Sequence, residues 1–434
     1  MPHRFEWQKR LIISAIIIVP VFFWLLSQSF TEKTLSLPIL STLAGQLAGI
    51  IGFSLFALNL ILSSRLKLLE KLFGPLNKIY TLHHKNGAFA FCLLLVHPLL
   101  LSIKYLIHSA SAGLLFLLPS LDNLAKLYGS MALSGMIILL GITFYFKFKY
   151  HIWKFSHQFM GLVFIFAFFH VWLIPSTVAN NTLLRLFLIT LGILGILSYF
   201  YRFILSHLKF NQTQFYVSQI KNLSNIIFEI NLKPKKSEFN FKPGQFAFFS
   251  FSQKNISPEP HPFSLTSKPD EKVISLAAKN LGDFTSTLRQ LKTDSKVWIE
   301  GPFGQFSYQF FPEIKEMLWI AGGIGITPFL SMAKTVENNR YKIDLFYSTK
   351  NQVEAVYLKE LENIAKKSLN LHVYPYFSDY EGHLTIAAIE RMIGKIEDKD
   401  IFICGPRPMM QSLKKQLAVR KINPDKIHSE EFKL

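Results

Sequence analysis

The chain has 434 residues, half of them apolar, 15% aromatic and only 17% charged, a composition that excludes a disordered protein. Its formal charge of +19 is unevenly distributed: 17 Lys+Arg face 4 Asp+Glu up to residue 210, and 30 face 24 beyond it. The surplus lies between long apolar runs rather than in one basic block, which argues against a nucleic-acid-binding protein. Cys92 and Cys404 are too few to hold an iron–sulfur cluster through four thiolates, so redox chemistry in this chain needs another cofactor.

Apolar runs of spanning length occur near residues 11–27, 39–63, 86–107, 127–146, 155–174 and 183–205, where about 20 residues suffice to cross a bilayer. Six spans are the simplest count. The first run follows Arg4, Lys9 and Arg10 and also has the look of a signal peptide, with Ser27-Gln28-Ser29 as a weak cleavage site. Pro20 and the lack of a clear boundary favour a retained span. Between spans two and three lie Arg65, Lys67, Lys71 and Lys78, and Lys147, Lys149 and Lys154 follow span four, whereas loop 175–182 has no Lys or Arg. The positive-inside rule then predicts a multi-pass inner-membrane protein with both termini in the cytoplasm.

Nine of the thirteen histidines fall in the first 210 residues, where an ionisable group is costly and is read as functional by default. His83 and His97 are 14 residues apart, about 3.9 helical turns and roughly 21 Å of rise, which places them on one face at two depths. His157 and His170 are 13 apart, about 3.6 turns, and an ideal helix leaves them off one face unless a π-bulge restores alignment. Because both spans run outward, His83 and His157 share the inner level and His97 and His170 the outer. Two levels of two imidazoles describe two bis-histidine b-type haems. A backbone carbonyl satisfying each ring is the alternative. His84 is also 13 residues from His97, and His83 is preferred for its same-face spacing. His108, His151 and His207 sit near span ends, where solvated roles fit better. Gly45, Gly49 and Gly52 indicate close helix packing and no chemistry.

From about Thr213 the period changes. Gln214–Ile220 and Ile226–Ile230 read as strands, and further strands to about residue 300 predict a small antiparallel barrel. After Gly301-Pro302-Phe303-Gly304, strands at Met317–Ala321, Ile343–Tyr347 and Ile401–Cys404 alternate with helices near 328–337, 354–367 and 408–420, the pattern of a doubly wound parallel sheet. The predicted architecture is therefore multidomain: a six-helix transmembrane bundle at 1–210, an antiparallel β-barrel at 211–312 and an α/β nucleotide-binding domain at 313–434. The first parallel strand ends in Gly322-Gly323-Ile324-Gly325-Ile326-Thr327-Pro328, whose small residues let backbone N–H groups approach a pyrophosphate, and Pro328 suits a first helical turn. Gly282-Asp283-Phe284-Thr285 offers donors to a second phosphate group.

The ordered set HPFSLTS (His261–Ser267), GDFT (Gly282–Thr285), EGPFG (Glu300–Gly304), AGGIGITPF (Ala321–Phe329) and CGPRPM (Cys404–Met409) resembles the ferredoxin-reductase-like dehydrogenase module of the NADPH oxidase and ferric reductase superfamily. The paired-histidine half is similar to that family's haem domain, and its 14-then-13 spacing favours His83 over His84. The resemblance implies that His261, Pro262, Phe263 and Ser264, with Thr266 close by, line an FAD, and that Ser264 lies near its reactive edge. It implies that Gly282, Asp283 and Thr285 hold the FAD pyrophosphate, and that Gly322, Gly323, Gly325, Thr327 and Pro328 hold the nucleotide phosphates. Cys404 and Gly405 would flank the nicotinamide, so Ser264 and Cys404 are the expected catalytic pair.

Three departures from the family pattern stand out. Where the family closes with an aromatic on the flavin, this chain ends Glu430-Glu431-Phe432-Lys433-Leu434, so either Phe432 serves or there is no aromatic cover. Leu101 stands one turn beyond His97, where animal oxidases carry a second histidine. EF-hand loops are absent, which leaves constitutive activity or control by another subunit. Ser348 and Lys350 replace the acidic residue that holds a ribose diol, which suits the 2′-phosphate of NADPH while leaving NADH open. The expected enzyme takes hydride from NAD(P)H onto FAD and passes single electrons through two haems to oxygen, giving superoxide. Its alternatives are a ferric reductase, an electron-donor subunit, or a proton or metal conduit using histidine relays. No obligate protein partner is evident.

Overall fold

The computed structural model describes all residues except 1, 29–35, 147, 149, 209–211, 236–238, 337–339, 369 and 432–434. The chain divides into two compact units, His3–Leu208 and Lys209–Leu434. Among the described residues, six helices are long and apolar enough to cross a membrane: Trp7–Leu26, Leu37–Ser63, Leu76–Leu106, Leu124–Tyr145, Ile152–Leu173 and Thr182–Ile204, spans one to six below. Lys147 and Lys149 lie outside the described residues.

The bundle core centres on Phe164, fully buried, with Phe53 stacked on it at 5.2 Å and Phe56 meeting it edge-on at 5.0 Å. Span one is packed into this bundle. Trp24 is buried in the same core and donates from Nε1 to Gln46 Oε1 at 2.9 Å, and Asn181, in the loop before span six, donates to Phe23 O at 2.8 Å. Span three starts ten residues before its apolar run, because Leu76 and Ile79 are buried and extend the helix below His83.

Span five corrects one expectation. Among the described residues it holds no π-bulge; it breaks at Phe159, between helices Tyr150–Gln158 and Met160–Leu173. The Phe159 N–H donates to Ser156 O, three residues back, at 3.1 Å. Such a turn advances about 120° per residue against about 100° in an α-helix. It therefore adds rotation, making thirteen residues act more like fourteen, whereas a π-bulge would remove it.

In the second unit, β1 (Gln212–Asn222), β2 (Ile227–Pro234), β3 (Phe246–Ser252), β4 (His261–Ser264), β5 (Ile274–Lys279) and β6 (Lys296–Phe303) form an antiparallel sheet in the order β4-β3-β6-β1-β2-β5. A bridge between Leu265, just past β4, and Leu276 of β5 joins its two edges, so the sheet closes as a barrel around Phe215, Phe228, Phe249, Phe251 and Leu276. The remaining strands, β7 (Glu316–Gly322), β8 (Lys342–Thr349), β9 (Leu371–Phe377), β10 (Asp400–Cys404) and β11 (Ile427–Glu430), form a wholly parallel sheet in the order β11-β10-β7-β8-β9. The inner strands β7, β8 and β10 are buried on both faces, as helices on either side of a parallel sheet require. The three expected helices run Thr327–Ala333, Leu358–Ala365 and Arg407–Val419, the first two shorter than the sequence pattern predicts, and a further helix, Ile386–Ile393, lies between β9 and β10.

Candidate functional site

Within the bundle, the His83 and His157 ring centroids are 6.3 Å apart with planes at 74°, and those of His97 and His170 are 6.4 Å apart at 72°. His84 is exposed and joins neither pair. Three of the four rings are pinned through Nδ1. His97 bonds Gly45 O at 2.7 Å, His170 bonds Ala125 O at 2.7 Å and His83 bonds Asn59 O at 3.1 Å. A carbonyl can only accept, so each Nδ1 carries the proton and each Nε2 is left with a lone pair to give. A metal between two such nitrogens, at bonds of about 2.0–2.1 Å and with about 1.2 Å from nitrogen to ring centre, separates the centroids by ~6.4 Å. Both pairs have the spacing of axial ligands. Among the described residues no cluster of three or more His, Cys, Asp or Glu side chains forms a different kind of metal site.

The sequence reading gave the glycines of span two no chemistry, but the structure gives them a part in this arrangement. A Cβ on Gly49 would lie 2.6 Å from His97 Nδ1, and one on Gly129 would lie 2.8 Å from His170 Nδ1. Each outer ring thus lies against a residue with no side chain. On the inner level, Asn86 donates to Leu55 O at 2.8 Å and to Asn59 Oδ1 at 3.2 Å, steadying the turn whose carbonyl receives His83.

In the second unit, the HPFSLTS and GDFT motifs meet: the His261 ring stacks on Phe284 with centroids 3.5 Å apart and planes at 17°. The hydroxyls of Ser264 and Thr266 are buried, and among the described residues neither has a hydrogen-bond partner. Buried polar atoms are almost always paired, so two orphans on one motif mark a place where a polar ligand is expected, and an isoalloxazine with its ribityl chain suits it. Thr285 Oγ1 accepts from the Leu281 and Gly282 N–H groups at 3.1 Å each, fixing the loop that opens helix Asp283–Thr287.

The glycine turn after β7 meets the end of the neighbouring strand β10. Gly323 has φ +54°, and a Cβ on Gly325 would collide with the Cys404 carbonyl, so the AGGIG and CGP turns interlock through backbone. Thr327 and Pro328 begin the following helix and are buried. Ser348 pairs in register with Gly322, and Lys350 is exposed just beyond it. Cys404 is fully buried beside Glu430, its register partner on β11, and burial followed by that carboxylate raises its thiol well above the ordinary range. Gly405 packs on Gly322. Glu430 was read only as part of the chain end, since nothing in the sequence pairs it with Cys404. Phe432 lies outside the described residues.

Polar bonds join the barrel to the parallel-sheet domain. Lys334 donates to Thr266 O at 3.0 Å and pairs with Glu360 at 3.0 Å, Ser331 donates to Ser267 O at 2.8 Å, Tyr357 donates to Glu229 at 2.8 Å, and Lys279 pairs with Glu354 at 3.3 Å. The orphaned hydroxyls and the glycine turn are thereby held in one body.

A barrel followed by a parallel nucleotide-type sheet, joined to six spanning helices, defines a membrane oxidoreductase with a ferredoxin-reductase-like module. Residues 48–168 match the ferric reductase like transmembrane component, 212–307 an FAD-binding domain and 319–415 the oxidoreductase NAD-binding domain. In this order they give the chain the architecture of the ferric reductase and NADPH oxidase superfamily. A glycine betaine monooxygenase reductase subunit from Pseudomonas aeruginosa is 28% identical over 218 residues, 45% of this chain and 57% of its own length. A sulfhydrogenase 2 subunit gamma from Pyrococcus furiosus is 26% identical over 212 residues, 44% of this chain and 72% of its own. The chain thus spans a little over half the length of the former relative. Among solved structures, flavohemoglobin from Malassezia yamatoensis, crystallised with FAD and heme, aligns at TM-score 0.50 and 17% identity over 75% of this chain and 88% of that one, a likeness of fold alone. The family composition supports NAD(P)H-driven electron transfer across a membrane.

Proposed function

We propose that the protein carries electrons from cytoplasmic NAD(P)H through FAD and two haems, held by His83 with His157 and by His97 with His170, to an acceptor outside the cytoplasm, with oxygen reduced to superoxide. The observation that carries this reading is the pair of imidazole couples at axial-ligand spacing, one above the other on spans three and five. FAD supplies the conversion of a two-electron hydride into single electrons that haem iron accepts one at a time. Ser264 and Thr266 offer their unpaired hydroxyls to the flavin, and the Gly322–Gly325 turn offers backbone N–H groups to the nucleotide phosphates. Cys404, neutral and small, closes the far side of the nicotinamide without adding a charge. Ser348 and Lys350 favour a 2′-phosphate and therefore NADPH. His97 and His170 would hold the outer haem between them, which would leave its edge rather than its iron to meet an acceptor. Arg65, Lys67, Lys71, Lys78 and Lys154 support cytoplasmic termini in an inner membrane.

The same edge would serve a ferric chelate, which is the second reading, favoured by the ferric-reductase-like match over residues 48–168. The purified protein is tested with NADPH against cytochrome c, with and without superoxide dismutase, and against chelated ferric iron. Reduction abolished by the dismutase supports the oxidase, and iron reduction indifferent to it supports the reductase. A preparation without a Soret band overturns both.

A further inference from the structure

The inner and outer ligand pairs differ in how their rings are held. His83, His97 and His170 each spend Nδ1 on a carbonyl of a neighbouring helix. His157 does not. Its Nδ1 is buried, and among the described residues no group accepts from it. A ring without such a bond can turn about its Cβ–Cγ axis, whose torsional well is broad. Yet its plane stands at 74° to that of His83, much as the doubly pinned outer pair stands at 72°. Among the described residues, the ring stacked on His157 is that of Trp153, one turn earlier, with centroids 5.4 Å apart and planes at 21°. Trp153 is itself anchored: Nε1 donates to Thr143 Oγ1 at 3.2 Å, and the Thr143 hydroxyl donates to Leu139 O at 2.8 Å.

We propose that Trp153, tethered through Thr143 to span four, is the positioning residue for the inner ligand His157, fixing by stacking the ring orientation that hydrogen bonds fix for the other three. The proposal rests on the haem reading above. An aromatic at i−4 reaches the ring from within its own helix, Tyr150–Gln158. The inner ligand also lacks the second bond that strengthens a histidine as a donor, so the two sites differ in ligand strength as well as in restraint.

Low-temperature EPR of the oxidised full-length protein tests this, because a low-spin signal reports the angle between axial imidazole planes. In Trp153→Leu, one of the two low-spin signals shifts or broadens and the midpoint potential of the same haem moves, while the other haem is unchanged. Trp153→Phe, which keeps a stacking ring without its tether, and Thr143→Val, which removes the tether alone, each give a smaller shift of the same sign. Unchanged signals in Trp153→Leu overturn the proposal, as does equal loss of both haems, which would mean that Trp153 serves only the bundle. Should Trp153→Leu fail to accumulate, Thr143→Val decides, and an unshifted signal there overturns the proposal. A wild-type protein with no low-spin signal at all fails earlier, at the haem reading itself.

Discussion

His97 donates from Nδ1 to the carbonyl oxygen of Gly45 at 2.7 Å, a bond between spans three and two that fixes which nitrogen of the ring is free. Gly49, one turn further along span two, makes room for that ring. Gly49→Ala places a methyl 2.6 Å from Nδ1, and Gly129→Ala places one 2.8 Å from the His170 ring. Each is expected to remove the outer haem and about half of the Soret absorbance, since close-packed interiors pass such clashes to their neighbours. Gly141→Ala, where nothing lies within 4 Å, is the matched control and keeps both haems. Pyridine haemochrome assays of the three variants check this.

The glycine result shows where sequence reasoning stops. Periodicity located the six spans and the strands β1, β2, β7, β8 and β10, because burial on a helical or strand face writes itself into the order of residues. It did not name β9, whose Pro375 interrupts the pattern; a proline is tolerated there because β9 is the edge of the sheet. Nor did it show that Gly49 faces His97, or that Glu430 lies beside Cys404. Such facts depend on segments far apart in the chain, two helices in the first case and two strands in the second, meeting in one register. The histidine spacing was readable, and the Phe159 break that makes 13 residues behave like 14 was not.

Lys334 ties Thr266 of the barrel to Glu360 of the parallel-sheet domain. Lys334→Met keeps most of the side-chain volume and removes both polar bonds. With the ammonium largely shielded from solvent, loss of a charged hydrogen bond is expected to lower stability by about 1–2 kcal/mol. It should also slow reduction of the flavin by NADPH more than it weakens flavin retention, because the Thr266 backbone N–H keeps its bond to Ser275 O at 2.8 Å. Urea unfolding followed by flavin release, together with stopped-flow flavin reduction, measures the two effects.

Alkaline pH is expected to destabilise the second unit. Burial, reinforced by Glu430, raises the Cys404 thiol; burial raises the Tyr347 hydroxyl; and burial with the charge of Glu229 raises that of Tyr357. All three remain protonated in the folded chain when the unfolded chain has begun to release its protons. The unfolded state then binds fewer protons, so stability falls as pH rises, by up to about 1.4 kcal/mol per pH unit per group. The loss begins near pH 8.5 for the thiol and near pH 10 for the phenols, the ordinary values of those groups. Cys404→Ala should remove the earlier part of the decline, which urea midpoints between pH 7 and pH 11 would reveal. A midpoint independent of pH contradicts the burial of these groups.

The proposed preference for NADPH rests on Ser348, level with Gly322 in the sheet, and on Lys350 beyond it. Lys350→Ala is expected to raise the KM for NADPH about tenfold, about 1.4 kcal/mol, with kcat little changed and NADH unaffected. Ser348→Asp places an anion where the 2′-phosphate would lie and restores an acceptor for a ribose diol, so the NADPH-to-NADH ratio of kcat/KM should invert. Equal response of the two nucleotides to both variants would remove these residues from the nucleotide site.

On the proposed function, the order of the two haems follows from the levels of His83 and His97 on span three. His83 lies toward the cytoplasmic end predicted by the basic loops, and His97 lies outward of it by 14 residues of helix, roughly 21 Å. His97→Ala should retain one haem, which NADPH still reduces under anaerobic conditions, while transfer to the external acceptor falls to background. His83→Ala should also retain one haem, but its reduction by NADPH should slow by orders of magnitude, because the electron must cross the vacated level. Two variants with equal haem content and opposite kinetics would establish the direction of flow. Equal reduction rates in both would mean that the flavin reaches either level, and the serial arrangement would be wrong.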